Sequence, residues 1–339
     1  MKYATSKPLY REPKEFHKNV SREVLQYALG GMLYMPANND IAEKIISGNH
    51  NFKSICLDLE DSVGDDSVDE AMNSIRETFK MLHNHYQHYT IDMPLIFIRV
   101  RTSEQALDIF DTLHEDGTHN YITGFNFPKF DSTNAEDYIN AIKMINNASI
   151  SPVYFNPIIE SALVMDKRTR FQELDFINNQ LSYVSQYVLN VRVGATDFCN
   201  IFGIRREKNQ HIYSIRVVAD CLADIVNMFG SKYVVSGPVW EYFKTEETES
   251  GLKRELQMDK LNGFIGKTSI HPSQLQIISE EYIVTYENYQ DALTILGMNG
   301  NVMGVTGGYN NNKMNEQKTH INWAKKIIGL ADIYGVAQP

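Results

Sequence analysis

Eight short apolar runs, at residues 32–37, 54–61, 95–100, 124–129, 153–160, 187–194, 232–239 and 266–272, punctuate this chain, with helical patterns between them. Most of the runs are near-continuous rather than alternating, as expected of strands covered on both faces. Residues 38–48 open on Asn38 and Asn39, carry Ile41, Ile45 and Ile46 on one face, and stop at Gly48. Ile75, Phe79, Leu82 and Tyr86 repeat at helical spacing, as do Ile215, Val218, Leu222, Ile225 and Phe229. Strand and helix alternating eight times predict a closed (β/α)8 TIM barrel of the α/β class. A doubly wound open sheet is the alternative. It would normally carry a glycine-rich phosphate loop after its first strand, and Met35-Pro36-Ala37-Asn38 is not one.

A chain of 339 residues accommodates one such barrel with additions. The barrel is assigned to residues 32–295, after a lead-in segment at 1–31. A Gly/Asn-rich linker and a C-terminal helical segment occupy 296–339, the last helix running over about 319–333. The charged stretch 245–259 reads as a helical insertion before the eighth strand, with a solvated face. The glycine-rich stretch 297–308 lacks GxGxxG or Walker spacing and reads as a linker or lid. A formal charge of −10 argues against a nucleic-acid partner, since phosphate binding needs a basic face. A small anionic metabolite held by local arginines stays open. The three cysteines, Cys56, Cys199 and Cys221, show neither CxxC spacing nor a disulfide framework, which favours a reducing compartment. No stretch reaches the roughly 18 apolar residues of a membrane span, and residues 1–18 are too polar for a signal peptide. The expectation is a cytoplasmic protein with no membrane partner.

Several runs end in acids. Glu160 closes the fifth and Asp197 follows the sixth. Adjacent barrel strands bring their C-terminal ends side by side, so these two carboxylates can share one Mg2+. Each could instead favour the start of a helix. Glu60 and Asp61 make a third acidic strand end, able to orient metal-bound water. Arg99 sits in the apolar run Phe97-Ile98-Arg99-Val100-Arg101, where an arginine is costly unless a carboxylate of protein or substrate meets it. Arg101 shares its face by two-residue periodicity, and Arg192 enters from the sixth run. Three arginines near one rim suggest a substrate with one or more acidic groups; internal salt bridges are the plain alternative for Arg101 and Arg192. Lys129 reads as a Schiff-base amine or, more simply, as a charge partner. Trp240, Tyr242 and Phe243 either wall the pocket or pack the core. His271 reads as a hydrogen-bonded structural histidine, and His83, His85 and His88 as surface residues.

Taken in order, the blocks Leu33-Tyr34-Met35-Pro36-Ala37, Leu57-Asp58-Leu59-Glu60-Asp61-Ser62-Val63, Ile98-Arg99-Val100, Phe127-Pro128-Lys129, Ile159-Glu160, Gly194-Ala195-Thr196-Asp197 and Gly266-Lys267-Thr268-Ser269-Ile270-His271-Pro272 resemble the citrate lyase β subunit / malyl-CoA lyase family of HpcH/HpaI-type aldolases. The resemblance implies that Glu160 and Asp197 bind Mg2+, that Arg99 grips the substrate carboxylate, and that Glu60 and Asp61 hold the network around the metal. It also implies a homo-oligomer, a trimer or hexamer, in which an acid of the C-terminal segment moves a proton, often in a neighbouring subunit. Glu316 takes that place, where the family usually has Asp. Two further places depart from the pattern: Gly30-Gly31 replaces the arginine before the first strand, and Arg101 replaces an asparagine. The segments from Ser236 to Phe243 and from Met314 to Ala324 look most like the divergent C–C-bond-lyase branch associated with tellurite-resistance (Ter) stress gene clusters.

The reading that results is a Mg2+-dependent carbon–carbon lyase acting on a 2-oxo or hydroxy acid or its thioester. Arg99, Arg101, Lys129, Arg192 and Trp240 are its expected substrate contacts, and CoA is left open. The rivals are an enzyme of the same scaffold acting on a phosphorylated or nucleotide-like metabolite, and a non-catalytic ligand-binding protein.

Overall fold

The computed structural model describes residues 1–88, 92–244, 246–298 and 304–339, without the side chains of 246–248. A short strand, β1 (Leu9–Arg11), precedes the barrel. The barrel itself is built from β2 (Gly31–Pro36), β3 (Ser54–Asp58), β4 (Leu95–Arg99), β5 (Ile122–Phe127), β6 (Tyr154–Ile159), β7 (Val191–Val193), β8 (Val235–Ser236) and β9 (Lys267–Ser269). These form one eight-stranded parallel sheet in the order β8-β7-β6-β5-β4-β3-β2-β9. Its two ends meet: the Ile265 amide donates to the Val235 carbonyl at 2.8 Å and the Gly237 amide to that of Gly266 at 2.9 Å. Each predicted strand is present, shortened or shifted by a few residues.

The strands form where the sequence is apolar on both faces because both faces are covered. All five residues of β3 and of β4 are buried, between the barrel interior and the outer helices. Helices Val68–Tyr86, Ser103–Glu115, Ala135–Ala148, Arg170–Ser182 and Arg216–Phe229 form that outer layer. The Tyr138 ring, on one of them, stacks on Phe127 of β5 at 4.3 Å and 15°. Burying a side chain of that size contributes about 2–3 kcal/mol. The Tyr138 hydroxyl also donates to the Arg101 carbonyl at 3.2 Å, tying the helix to the loop after β4.

The charged stretch 245–259 is helical with an exposed face that includes Glu249, Arg254 and Gln257, as expected, but it is not an insertion. Residue 245 lies outside the described residues, and the rest belongs to the helix Glu246–Leu261, the barrel's own connection from β8 to β9. Its Leu252, Glu255, Leu256 and Asp259 are fully buried. The two acids sit there because the Lys267 ammonium of β9, also fully buried, lies 2.9 Å from Glu255 and 2.7 Å from Asp259. Arg206 donates to Glu255, and the Tyr213 hydroxyl to Asp259 at 2.7 Å.

The lead-in and C-terminal segments form a second core against the start of the barrel. It contains Phe16, Leu25, Leu29, Met32, Ile278, Ala324, Leu330 and Tyr334. Helices Tyr286–Gly297 and Gln317–Tyr334 belong to it. Between them β10 (Val305–Gly307) pairs antiparallel with β11 (Met314–Glu316). The last strand, β12 (Val336–Ala337), pairs with β1, so the two ends of the chain lie together. Of the glycine-rich stretch read as a linker or lid, residues 299–303 lie outside the described residues.

Candidate active site

The C-terminal ends of the strands open onto a cavity of about 360 Å³. Asp58, Asp61, Arg99, Glu160, Arg192 and Asp197 all line it, together with Tyr34, Thr268 and the apolar Ile158, Val193, Val239 and Ile270.

Strand register places Asp58 of β3 directly beside Arg99 of β4. The two form a bidentate pair, Nε to Oδ1 at 2.6 Å and Nη2 to Oδ2 at 2.7 Å. The remaining Arg99 nitrogen, Nη1, lies 2.8 Å from Glu60 and 3.1 Å from Asp61. Burial works to raise the Asp58 carboxyl, but the hydrogen bonds and charge of Arg99 outweigh it and hold the group below the usual carboxylate range. The two amides that follow, of Glu60 and Ser62, donate to Asp58 as well, at 3.1 and 3.2 Å. Arg99 thus lines the cavity with most of its donors already engaged by protein carboxylates. It is the hub of a carboxylate cluster that fixes the loop after β3.

Glu160 follows β6 and is 5% exposed. The Lys129 backbone amide donates to its Oε1 at 2.9 Å. Lys129 itself adopts a left-handed conformation, φ 48°, uncommon for a residue with a side chain. Beside it, Gly194 leaves the space the carboxylate occupies: a Cβ there would lie 1.9 Å from Glu160 Oε2. Asp197 is half-buried in the first turn of the helix Ala195–Ile201, directly after β7. Burial, then the charges of Asp197 and Glu60, push the Glu160 carboxyl up to about 8. Burial also raises Asp197. Two acids facing one cavity, each disfavoured in its charged form, are a pair that a cation would relieve.

Among the described residues, no group of three or more His, Cys, Asp or Glu side chains is arranged to cage a metal. A pair still suits Mg2+, which usually takes one or two carboxylates and fills its other positions with water and substrate oxygens. Glu160 and Asp197 thus fit the ion that the resemblance implies.

Other expected contacts sit elsewhere. Arg101 turns away from the cavity and donates to the Leu59 and Val63 carbonyls at 2.7 and 2.6 Å, and pairs with Asp65. Lys129 does not line the cavity; its ammonium pairs with Glu60. Trp240 is 1% exposed, packs in the second core, and lies beneath the Arg206 guanidinium at 4.9 Å, so it fills core rather than walling a pocket. His271 caps the turn Pro272–Gln274, as a structural histidine would, and stacks on Phe243. Glu316 ends β11, its amide donating to His320 at 3.0 Å, and does not line the cavity of its own chain. Arg192 alone of the expected arginines lines the cavity without a carboxylate partner among the described residues. Asp58, Tyr34 and Thr268 received no role from the sequence. Asp58 had a signal: it shares a strand face with Glu60 and aligns with Arg99 once β3 and β4 pair.

A family model described as C-C_Bond_Lyase of the TIM-Barrel fold matches residues 23–336. The chain belongs to this family. No curated protein matches the sequence significantly. Among solved structures, CitE of Mycobacterium tuberculosis in complex with magnesium, acetoacetate and coenzyme A is similar at 19% identity and TM-score 0.60, over 90% of this chain and 99% of that one. A citrate lyase of Burkholderia xenovorans LB400 is similar at 14% identity and TM-score 0.67, over 91% and 93% of the two chains. The citrate lyase β subunit of M. tuberculosis with oxaloacetate and magnesium gives 20% identity and TM-score 0.51, over 76% and 98%. At these identities the likeness establishes the shared barrel. No described helix of this C–C bond lyase family member is long and apolar enough to cross a membrane.

Proposed function

We propose that this protein is a Mg2+-dependent carbon–carbon lyase that cleaves, or in reverse condenses, a small 2-oxo or hydroxy acid or its thioester by aldol- or Claisen-type chemistry. The observation that carries the reading is the acid pair Glu160 and Asp197 on one cavity with the Arg99 cluster. Glu160 and Asp197 would hold the ion. Bound there, it supplies concentrated positive charge beside the substrate oxygen on which negative charge develops. The chain's own residues prepare that place. Asp58 locks Arg99, and Arg99 with Lys129 fixes the Glu60 and Asp61 carboxylates beside the acid pair. Ile158, Val193, Val239 and Ile270 give the cavity apolar walls, which strengthen every charge interaction inside it.

Glu316 would move the proton. Since it does not line its own cavity, it would do so from a neighbouring copy in a trimer or hexamer. Magnesium, oxaloacetate, acetoacetate and coenzyme A in the complexes of structural neighbours support the metal and the substrate class. The resemblance of the segments around 236–243 and 314–324 supports the branch associated with tellurite-resistance gene clusters. A cytoplasmic location fits the cysteine usage.

Enolate chemistry can be tested before the substrate is known. With pyruvate and Mg2+ in deuterated water, proton NMR should show methyl exchange faster than in buffer, abolished by EDTA and by Glu160→Gln. Exchange that persists in the variant, or never exceeds the buffer rate, would contradict this reading.

A further inference from the structure

Among the described residues, Arg192 is the one cavity arginine without a carboxylate partner. Its side chain is 1% exposed, yet among the described residues Nε and Nη1 have no hydrogen-bond partner. Nη2 donates to the Thr268 hydroxyl at 2.7 Å, and the guanidinium lies 5.6 Å from the Tyr34 ring centre. An uncompensated guanidinium buried in a protein is costly, and such a cost persists where a ligand offsets it.

The groups around it are donors too. Thr268 Oγ1 accepts from Arg192, and among the described residues its own proton has no acceptor. Tyr34 accepts from Asn126 Nδ2 at 2.8 Å, and its hydroxyl proton is likewise unclaimed. Burial raises the Tyr34 phenol, which stays neutral and keeps that proton to give. Arg192, Thr268 and Tyr34 come from β7, β9 and β2, and all three line the cavity. The cavity is thus divided by chemistry: Asp61, Glu160 and Asp197 offer acceptors, whereas this wall offers donors.

We propose that Arg192, Thr268 and Tyr34 form an anion subsite that takes a carboxylate of the substrate, the role that the family resemblance gives to Arg99. The inference rests on the lyase reading for the word substrate, but the subsite itself needs no metal. A carboxylate placed there accepts from the free Arg192 nitrogens and the two hydroxyls, leaving the rest of a small acid to reach the acid pair. Arg192 is then the residue that determines specificity, selecting small acids over neutral carbonyl compounds.

The test is calorimetric titration of the metal-free protein with malonate. Wild type should bind it at one site, and Arg192→Met should weaken binding roughly tenfold or more, as loss of charge-assisted hydrogen bonds does. Arg192→Lys, which keeps the charge, should fall between them, and Glu160→Gln should bind malonate no more weakly than wild type. Because a buried unpaired charge is removed, ligand-free Arg192→Met should melt no lower than wild type; circular dichroism checks that it folds. Absence of malonate binding to wild type, or equal binding by folded Arg192→Met and Arg192→Lys, overturns the subsite. Retained Mg2+ binding alongside either result would leave the lyase reading standing, and loss of Mg2+ binding with an intact malonate site would do the reverse.

Discussion

At the residue scale, what the cavity can bind depends on which charges are already paired inside the protein. A sequence places Arg99 in an apolar strand and says that it needs a carboxylate, but not which one. Strand register supplies the answer, because β3 and β4 align Asp58 with Arg99 and a bidentate pair follows. Arg192 looked equivalent in sequence and ends with no carboxylate partner among the described residues, a difference set across β7, β9 and β2 that no local pattern carries. The acid pair gives a pH prediction. Glu160 has its folded carboxyl pushed up to about 8, against an ordinary value of 4.5, so the unfolded chain releases this proton first as pH rises. The stability that protonated Glu160 allows is complete below about 4.5 and lost by about 8. Urea unfolding in EDTA should therefore show wild type weakening between pH 5 and 8, and Glu160→Gln weakening less. Mg2+ should restore wild type at pH 8 and do little at pH 5. Parallel pH profiles for the two proteins would remove this explanation.

At the element scale, near-continuous apolar runs made the eight barrel strands legible, since burial on both faces leaves little else. One face of the helix Glu246–Leu261 was misread for an equally physical reason. Its charges resemble a solvated face until Lys267, on the next strand, is seen to neutralise Glu255 and Asp259 in the interior. Such pairing is long-range in space and invisible to periodicity. Removing the lysine should strand two buried carboxylates: Lys267→Met should cost about 3–5 kcal/mol in urea unfolding. A loss under about 1 kcal/mol, the range of exposed pairs, would mean that the cluster is solvated after all. β1 and β12 were missed because strands of two or three residues carry no periodic signal, and their pairing joins the two ends of the chain.

At the scale of the whole molecule, a single barrel carries the candidate metal ligands and the proposed anion subsite, but not its expected proton carrier. Glu316 sits on the β10–β11 hairpin, whose Val305, Tyr309 and Met314 are exposed. If copies complete one another, Glu160→Gln and Glu316→Gln should each be inactive in pyruvate exchange. Mixed and reassembled in equal amounts, they should recover about a quarter of wild-type activity, from sites pairing an intact barrel with an intact neighbour's hairpin. No recovery from a co-assembled mixture would place the proton carrier elsewhere. The most direct test of the central claim is titration calorimetry of Mg2+ into wild type and into Glu160→Gln/Asp197→Asn, with and without oxaloacetate, glyoxylate or pyruvate. The account predicts Mg2+ binding to wild type, tightened by a 2-oxo acid, and none to the double variant. Equal binding by both proteins, or none by either, would contradict it.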